Sequence, residues 1–200
     1  VTMGTELALV GFISYFVSIF LCSTNMYSLA GFSMEGQNIC VLKSMPIRPK
    51  DLLNAKVLVA NIGTAIIAVV GAVSYVAVSE FHNPLVALGL LVTFLLNGAA
   101  SSFIGLYNDI KKPVFKFDNI NELTKNNKKM IKPMLIDLSV SFIYLIMGIV
   151  FGAISGGAIS DAALYVIFFA VAIIVNGLYA FIPGKKLYDH IDEYLERAEA

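Results

Sequence analysis

The sequence predicts an all-α membrane protein, a polytopic bundle of about five transmembrane helices with short amphipathic helices at one surface. Apolar segments at about 7–30, 57–78, 85–106, 134–154 and 162–182 each have close to the ~20 residues that cross a bilayer core. Charged residues make up 14% of the chain, against about 25% in soluble domains. All 14 Lys and Arg residues lie outside these segments. We expect a single transmembrane domain over residues 1–200.

The basic residues also predict how the chain is oriented in the membrane. They fall in three stretches, at 43–56, 111–132 and 185–197, and the connections between the other span ends contain no Lys or Arg. Because cytoplasmic loops are enriched in Lys and Arg, we expect a multi-pass cell-membrane protein with its N-terminus outside and its C-terminus in the cytoplasm. The chain begins with Val1, and we interpret it as a portion of a longer protein.

The connection between the first two spans, residues 33–56, is called the elbow. Apolar residues at helical spacing predict a short amphipathic helix in its first half. Pro46 and Pro49 then bend the chain, and Pro49 suits the first turn of a new helix that leads into the second span. This pattern predicts a cytoplasmic helix–bend–helix element that exposes Pro46 and Ile47.

Two further segments are predicted to be cytoplasmic. The loop at 107–133 has seven Lys against three acidic residues, a balance that favours anionic lipid headgroups and gives no reason to expect nucleic acid. An apolar face after Asn119 predicts a surface helix that ends at Pro133. The tail at 183–200 has three basic against five acidic residues, which makes it a poor lipid binder and a better candidate for contact with protein, and an apolar stripe runs along this otherwise acidic helix. That stripe consists of Leu187, Ile191, Tyr194, Leu195 and Ala198.

Polar residues inside the spans allow two interpretations. Asp137 is either a proton or ion site, because intramembrane carboxylates are costly, or a first-turn residue near the headgroups that complements the helix N-terminus. Asn97 and Asn176 either join helices by hydrogen bonds or line a pathway. Three glycines at four-residue spacing predict close helix packing, within the chain or in a dimer. They are Gly148, Gly152 and Gly156.

Enzyme motifs are missing from the sequence. It has no phosphate-binding loop, no zinc-protease helix motif, no cysteine cluster and no nucleophile elbow. His82 and His190 are predicted on opposite sides of the membrane. We therefore expect no catalytic residue, metal or cofactor in this chain.

Two stretches resemble the signature of ABC exporter permease subunits from Gram-positive bacteria. The first is Ser33-x-Glu35-Gly36, followed by Leu42-Lys43-Ser44-x-Pro46-Ile47, Leu53 and Lys56, and the second is Gly105-x-x-x-Asp109-x-x-x-Pro113, Phe117 and Lys125-Asn126. The resemblance implies that the first stretch is a coupling helix seated on a cytoplasmic ATPase subunit, which binds the ATP. It assigns Glu35, Gly36, Leu42, Pro46 and Ile47 to that contact.

The resemblance also implies that the chain is the C-terminal portion of such a permease and pairs with a second permease half or another copy. The sequence thus favours a permease subunit of an ATP-driven exporter. Two alternatives remain open: a membrane scaffold or sensor that transports nothing, and an intramembrane enzyme that uses Asp137 and Asn97.

Overall fold

The computed structural model describes residues 25–78, 84–117, 131–154 and 161–197, and these residues form an all-α bundle without strands. The predicted fold class is confirmed. Within these described ranges, three helices are long and apolar enough to cross a membrane, which makes the chain a multi-pass membrane protein. The helices are α1 (Met26–Leu29), a 3₁₀ segment (Ser33–Asn38), α2 (Ile39–Ser44), α3 (Pro49–Val78), α4 (Pro84–Lys111), α5 (Ile131–Ile154) and α6 (Asp161–Arg197).

Helix α3 begins at Pro49, eight residues before the predicted second span, and continues without a break to Val78. Proline suits this first position because the first backbone N–H groups of a helix have no partner within the helix, and Asp51 in the first turn complements the helix dipole. The second half of the elbow and the second span are therefore one helix, as the two prolines predict.

Helix α4 is the centre of the bundle. In the most apolar 18-residue stretch of α4, 56% is buried inside the bundle, against 17% in the corresponding stretches of α3 and α6. Small residues let its neighbours approach closely: a Cβ atom at Gly98 would lie 2.2 Å from Thr64 Cγ2 on α3, and one at Gly105 would lie 2.4 Å from Ser28 Oγ on α1. Gly89 is similarly close to the Phe169 ring on α6.

Helix α6 runs through Pro183 to Arg197, so the predicted fifth span and the acidic tail are a single helix of 37 residues. The tail's apolar stripe packs inside the bundle: Leu187, Ile191 and Leu195 are buried in a core cluster with Phe32, Leu53, Leu106 and Ile110. The chain's own helices therefore cover these three residues, and contact of the acidic tail with another protein stays a prediction.

Helix α5 begins at Ile131, three residues before the predicted fourth span, with Pro133 in its first turn. Asp137 therefore lies in the second turn, and the expectation that it occupies the first turn is not met. The predicted surface helix after Asn119 falls on residues 118–130, outside those described. Residues 7–24 of the predicted first span also lie outside them. At Asn25 the backbone is extended and caps α1, so no helix continues through this residue.

Helix α3 also presents an apolar stripe away from the bundle. Large aliphatic residues recur along it every three or four positions with about half of their surface exposed. In an aqueous protein such a contiguous stripe would be unfavourable, but hydrocarbon accepts it. The stripe consists of Leu58, Val59, Ile62, Ile66, Val69, Val70 and Val73.

Candidate functional site

The candidate site is the elbow together with the residues that hold it on the bundle. Helix α2 ends at Ser44, the backbone is extended at Met45, and α3 starts at Pro49. Between them the Ile47 N–H donates to the Met45 carbonyl at 2.8 Å, which makes a tight bend. Residues 45–48, called the elbow tip, are all exposed, and Ile47 keeps 46% of its surface.

Asp109, near the C-terminal end of α4, fastens the start of the elbow. One carboxylate oxygen accepts hydrogen bonds from the backbone N–H groups of Phe32 at 2.8 Å and Ser33 at 2.9 Å, and the other accepts from the Ser33 hydroxyl. The Ser33 oxygen in turn accepts from the Val114 N–H at 2.9 Å. Asp109 is 3% exposed. Bonds to an ionised acceptor are stronger than neutral ones, so this buried carboxylate joins the elbow to α4.

A second link joins the elbow to α3. Glu35 forms an ion pair with Lys56, and the Lys56 ammonium lies 5.6 Å from the centroid of the Phe32 ring. The two charged side chains are only 31% and 13% exposed. Phe32 itself is 1% exposed within the core cluster that includes Leu53. The first turn of the elbow thus contacts both α3 and α4.

Gly36 forms a kink between the part of the elbow held by Asp109 and the Glu35–Lys56 pair and the start of α2. Its φ of 53° and ψ of −132° lie in a region that only glycine enters without strain. A Cβ atom here would lie 3.5 Å from the Phe117 ring and 3.6 Å from the Phe115 carbonyl, which is ordinary contact. The need for glycine is therefore conformational, and the chain after α4 packs directly over the kink.

The structure separates the five residues assigned to an ATPase contact into two groups. Pro46 and Ile47 face solvent at the elbow tip. Leu42 is half-buried against the core cluster, Glu35 pairs with Lys56, and Gly36 is buried under Phe117. This placement favours a positioning role for the inner three. The two motif stretches of the sequence meet in space, because Asp109 and Phe117 from the second contact Ser33 and Gly36 from the first.

Sequence reasoning did not assign a role to Asp109, although it lies in the second motif. The predicted span ends at 106, whereas in the structure Asp109 is an acidic residue in the last turn of α4, where its charge opposes the helix dipole. A carboxylate at such a position needs donors from elsewhere in the fold. For Lys56 the sequence does contain a signal, because it is the last charged residue before the uncharged stretch 57–78.

A pocket of about 400 Å³ lies between the start of the elbow and α3. Glu35 and Lys56 line it, and its other walls are mainly apolar. Its rim includes Tyr27, which is 55% exposed, and Val59 of the apolar stripe on α3, which is 47% exposed. The rest of the wall consists of Gly31, Met34, Leu52 and Ala55. This pocket, called the interface pocket, therefore combines a charged pair with an apolar opening along α3.

A polar cluster joins three helices inside the bundle. The Asp137 carboxylate of α5 accepts a hydrogen bond from the Ser101 hydroxyl of α4 at 2.6 Å and another from the Tyr179 hydroxyl of α6. Asp137 is 2% exposed. Ser101 is linked to α1 as well, because its carbonyl accepts from the Ser28 hydroxyl at 2.9 Å. The cluster therefore links α1, α4, α5 and α6 through buried hydrogen bonds.

The other predicted polar and glycine positions are placed as follows. Asn97 lies one turn from Ser101 on the same face of α4, is 1% exposed, and its side-chain amide has no hydrogen-bond partner among the described residues. Asn176 is fully buried on α6, one turn before Tyr179. Gly148 and Gly152 lie in α5, and Gly156 is outside the described residues.

Comparisons with known proteins add no identification: no family model, no curated protein and no solved structure matches the chain. Within the described ranges, no group of three or more His, Cys, Asp or Glu side chains is arranged to hold a metal ion. The functional conclusion therefore depends on the geometry and on the sequence resemblance.

Proposed function

We propose that this chain is a transmembrane permease subunit of an ATP-driven exporter, and that the elbow tip is its contact with a separate ATP-hydrolysing subunit. The observation that carries the proposal is an exposed apolar tip at the end of an element whose start is firmly attached to the bundle. Met45 and Ile47 keep 44% and 46% of their surfaces exposed. Lys43, Arg48 and Lys50 lie in or next to this tip in the sequence, which favours a cytoplasmic location.

The attachments explain how movement at the tip would reach the spans. Helix α3 begins at Pro49, immediately after the tip, so a displacement of the tip tilts α3 directly. Asp109 and the Glu35–Lys56 pair hold the other end of the elbow to α4 and α3. A nucleotide-driven displacement would therefore bias the packing of both helices together, as in other two-state membrane switches.

The polar cluster extends this connection to the remaining helices. Ser101 lies two turns before Asp109 on α4, and its hydroxyl bonds to Asp137 of α5, which also binds Tyr179 of α6. In the proposed mechanism these bonds keep α4, α5 and α6 moving as a group. The chain performs no covalent chemistry; its role is to convert the displacement of the tip into a change of the pathway between helices.

The experiment replaces Ile47 with Asp in the protein purified from its native membrane. Because Ile47 is exposed, Ile47→Asp leaves the fold intact and weakens association with the ATPase, measured by the amount of ATP-hydrolysing subunit that co-purifies and by its stimulated activity. The matched control is Ile131→Asp, at an apolar residue 53% exposed at the start of α5. Equal ATPase recovery and activity in both variants would refute the docking assignment. Absence of any ATPase from the wild-type preparation would favour the scaffold alternative.

A further inference from the structure

We propose that the interface pocket binds the headgroup of a zwitterionic phospholipid that carries a primary ammonium, of the phosphatidylethanolamine type. The lipid phosphate would accept hydrogen bonds from the Lys56 ammonium, and the lipid ammonium would donate hydrogen bonds to the Glu35 carboxylate. One acyl chain would lie along the apolar stripe of α3. Binding requires only that the chain spans a membrane. Its consequence for coupling rests on the proposed function.

The volume of the pocket fits a ligand of this size. At about 400 Å³, it falls within the range of ~300–1,000 Å³ that is typical of small-molecule sites. Its polar groups converge at one place, the Glu35–Lys56 pair, and the rest of its wall is apolar. This arrangement suits a compact charged group attached to a hydrocarbon chain.

The ion pair selects the charge of the ligand. Glu35 and Lys56 together carry no net charge, so a purely anionic headgroup would be attracted by the lysine and repelled by the glutamate. A headgroup with both charges is attracted by each partner. The pair does not have to separate, because an ammonium has three donors and a carboxylate about four acceptor positions, of which their mutual contact uses one each.

The location of the pocket selects a membrane lipid over a soluble zwitterion. Lys56 is followed by 22 uncharged residues on α3, so the pair lies where this helix passes from its charged first turns into its apolar part. Val59 on the rim begins the exposed stripe that continues through Ile62 and Ile66, which are 51% and 60% exposed. Tyr27 on the other rim has the amphipathic character of residues that favour the membrane interface.

A bound lipid would bear on the elbow directly. Glu35 lies in the 3₁₀ segment that precedes α2, and Lys56 lies on α3 beyond the elbow tip. A headgroup that contacts both residues would strengthen the link between the two ends of the elbow. The lipid content of the membrane would then tune how firmly the tip is held.

The test measures lipid binding to the purified full-length chain by native mass spectrometry, with dioleoyl phosphatidylethanolamine, phosphatidylglycerol, phosphatidylcholine and diacylglycerol as probes. We expect phosphatidylethanolamine to bind about tenfold more tightly than the others, the effect of one charge-assisted hydrogen bond. We expect Glu35→Gln to remove the preference for phosphatidylethanolamine over phosphatidylglycerol, and Lys56→Met to weaken the binding of both of these lipids. The matched controls are Lys50→Met and Asp51→Asn, at exposed residues in the first turn of the same helix.

A third variant leaves the ion pair intact. Val59→Trp fills the rim of the pocket, and we expect it to lower phosphatidylethanolamine binding to the level of diacylglycerol even if the two charge variants fold poorly. Equal affinity for all four lipids, tighter binding of phosphatidylglycerol, or unchanged binding by Val59→Trp would overturn the proposal. Because no ATPase is present, the result does not depend on whether the chain is a permease.

Discussion

Replacement of Asp109 by Ala tests whether the elbow is fastened to α4. The substitution leaves the Phe32 and Ser33 N–H groups without their acceptor in a site where Asp109 is 3% exposed. Each buried donor left unsatisfied costs about 1–3 kcal/mol. Because the Ser33 hydroxyl can rotate, the expected cost includes only the two backbone N–H groups and the loss of the negative charge. The expected decrease in the free energy of unfolding is about 3–5 kcal/mol. Asp109→Asn keeps one acceptor oxygen, and its expected cost is about 1–2 kcal/mol.

The assay is unfolding of the purified chain in mixed micelles with increasing SDS, followed by pulse proteolysis. Trypsin cleavage within the elbow provides a second measurement, because loss of the Asp109 bonds releases this segment before the whole bundle unfolds. The control Asp192→Ala removes an exposed carboxylate on α6, and we expect a change within about 0.5 kcal/mol. The reasoning fails if Asp109→Ala behaves like this control in both measurements.

Three further predictions concern the kink, the helix contact and the lipid-facing stripe. Gly36→Ala should cost about 1–3 kcal/mol in the same SDS assay because of its positive φ, while the control Gly63→Ala, which has open space around it, should be neutral or stabilising by up to about 1 kcal/mol. Gly98→Ala should cost about 1–3 kcal/mol by forcing α3 and α4 apart, and a double-mutant cycle should show that Thr64→Ala restores part of it; independent effects would contradict the contact. Ile66→Arg, at a position 60% exposed, should lower the inserted fraction of α3 in a glycosylation-mapping assay by an amount corresponding to about 2.5–3.5 kcal/mol, and normal insertion would argue against a lipid-facing position.

Local patterns were sufficient to predict the elbow. Pro46 and Pro49 act on the backbone next to them, so the end of α2 at Ser44 and the start of α3 at Pro49 follow from the sequence. Among the described residues, the three candidate spans in α3, α4 and α6 follow equally from apolar length. In each case the physical cause lies within a few residues of its effect.

Contacts between distant residues were not predicted. The continuation of α6 to Arg197 depends on Leu187 and Ile191 meeting Leu106, and nothing near the tail in sequence specifies that partner. The role of Asp109 depends on Ser33, 76 residues earlier. One of the two interpretations of Asp137 placed it at a helix end after Pro133, but hydroxyl groups on α4 and α6 form its surroundings.

The unbroken α6 makes this part of the chain sensitive to length. A helix of 37 residues is about 55 Å long, well beyond the ~30 Å of hydrocarbon that a bilayer provides. Each residue turns the helix by about 100°, so one amino acid inserted between Pro183 and Leu187 would swing the downstream face away from α4 and expose Ile191 and Leu195 to water. A single substitution there leaves the register of the helix unchanged, whereas a one-residue insertion or deletion rotates every residue of α6 that follows it.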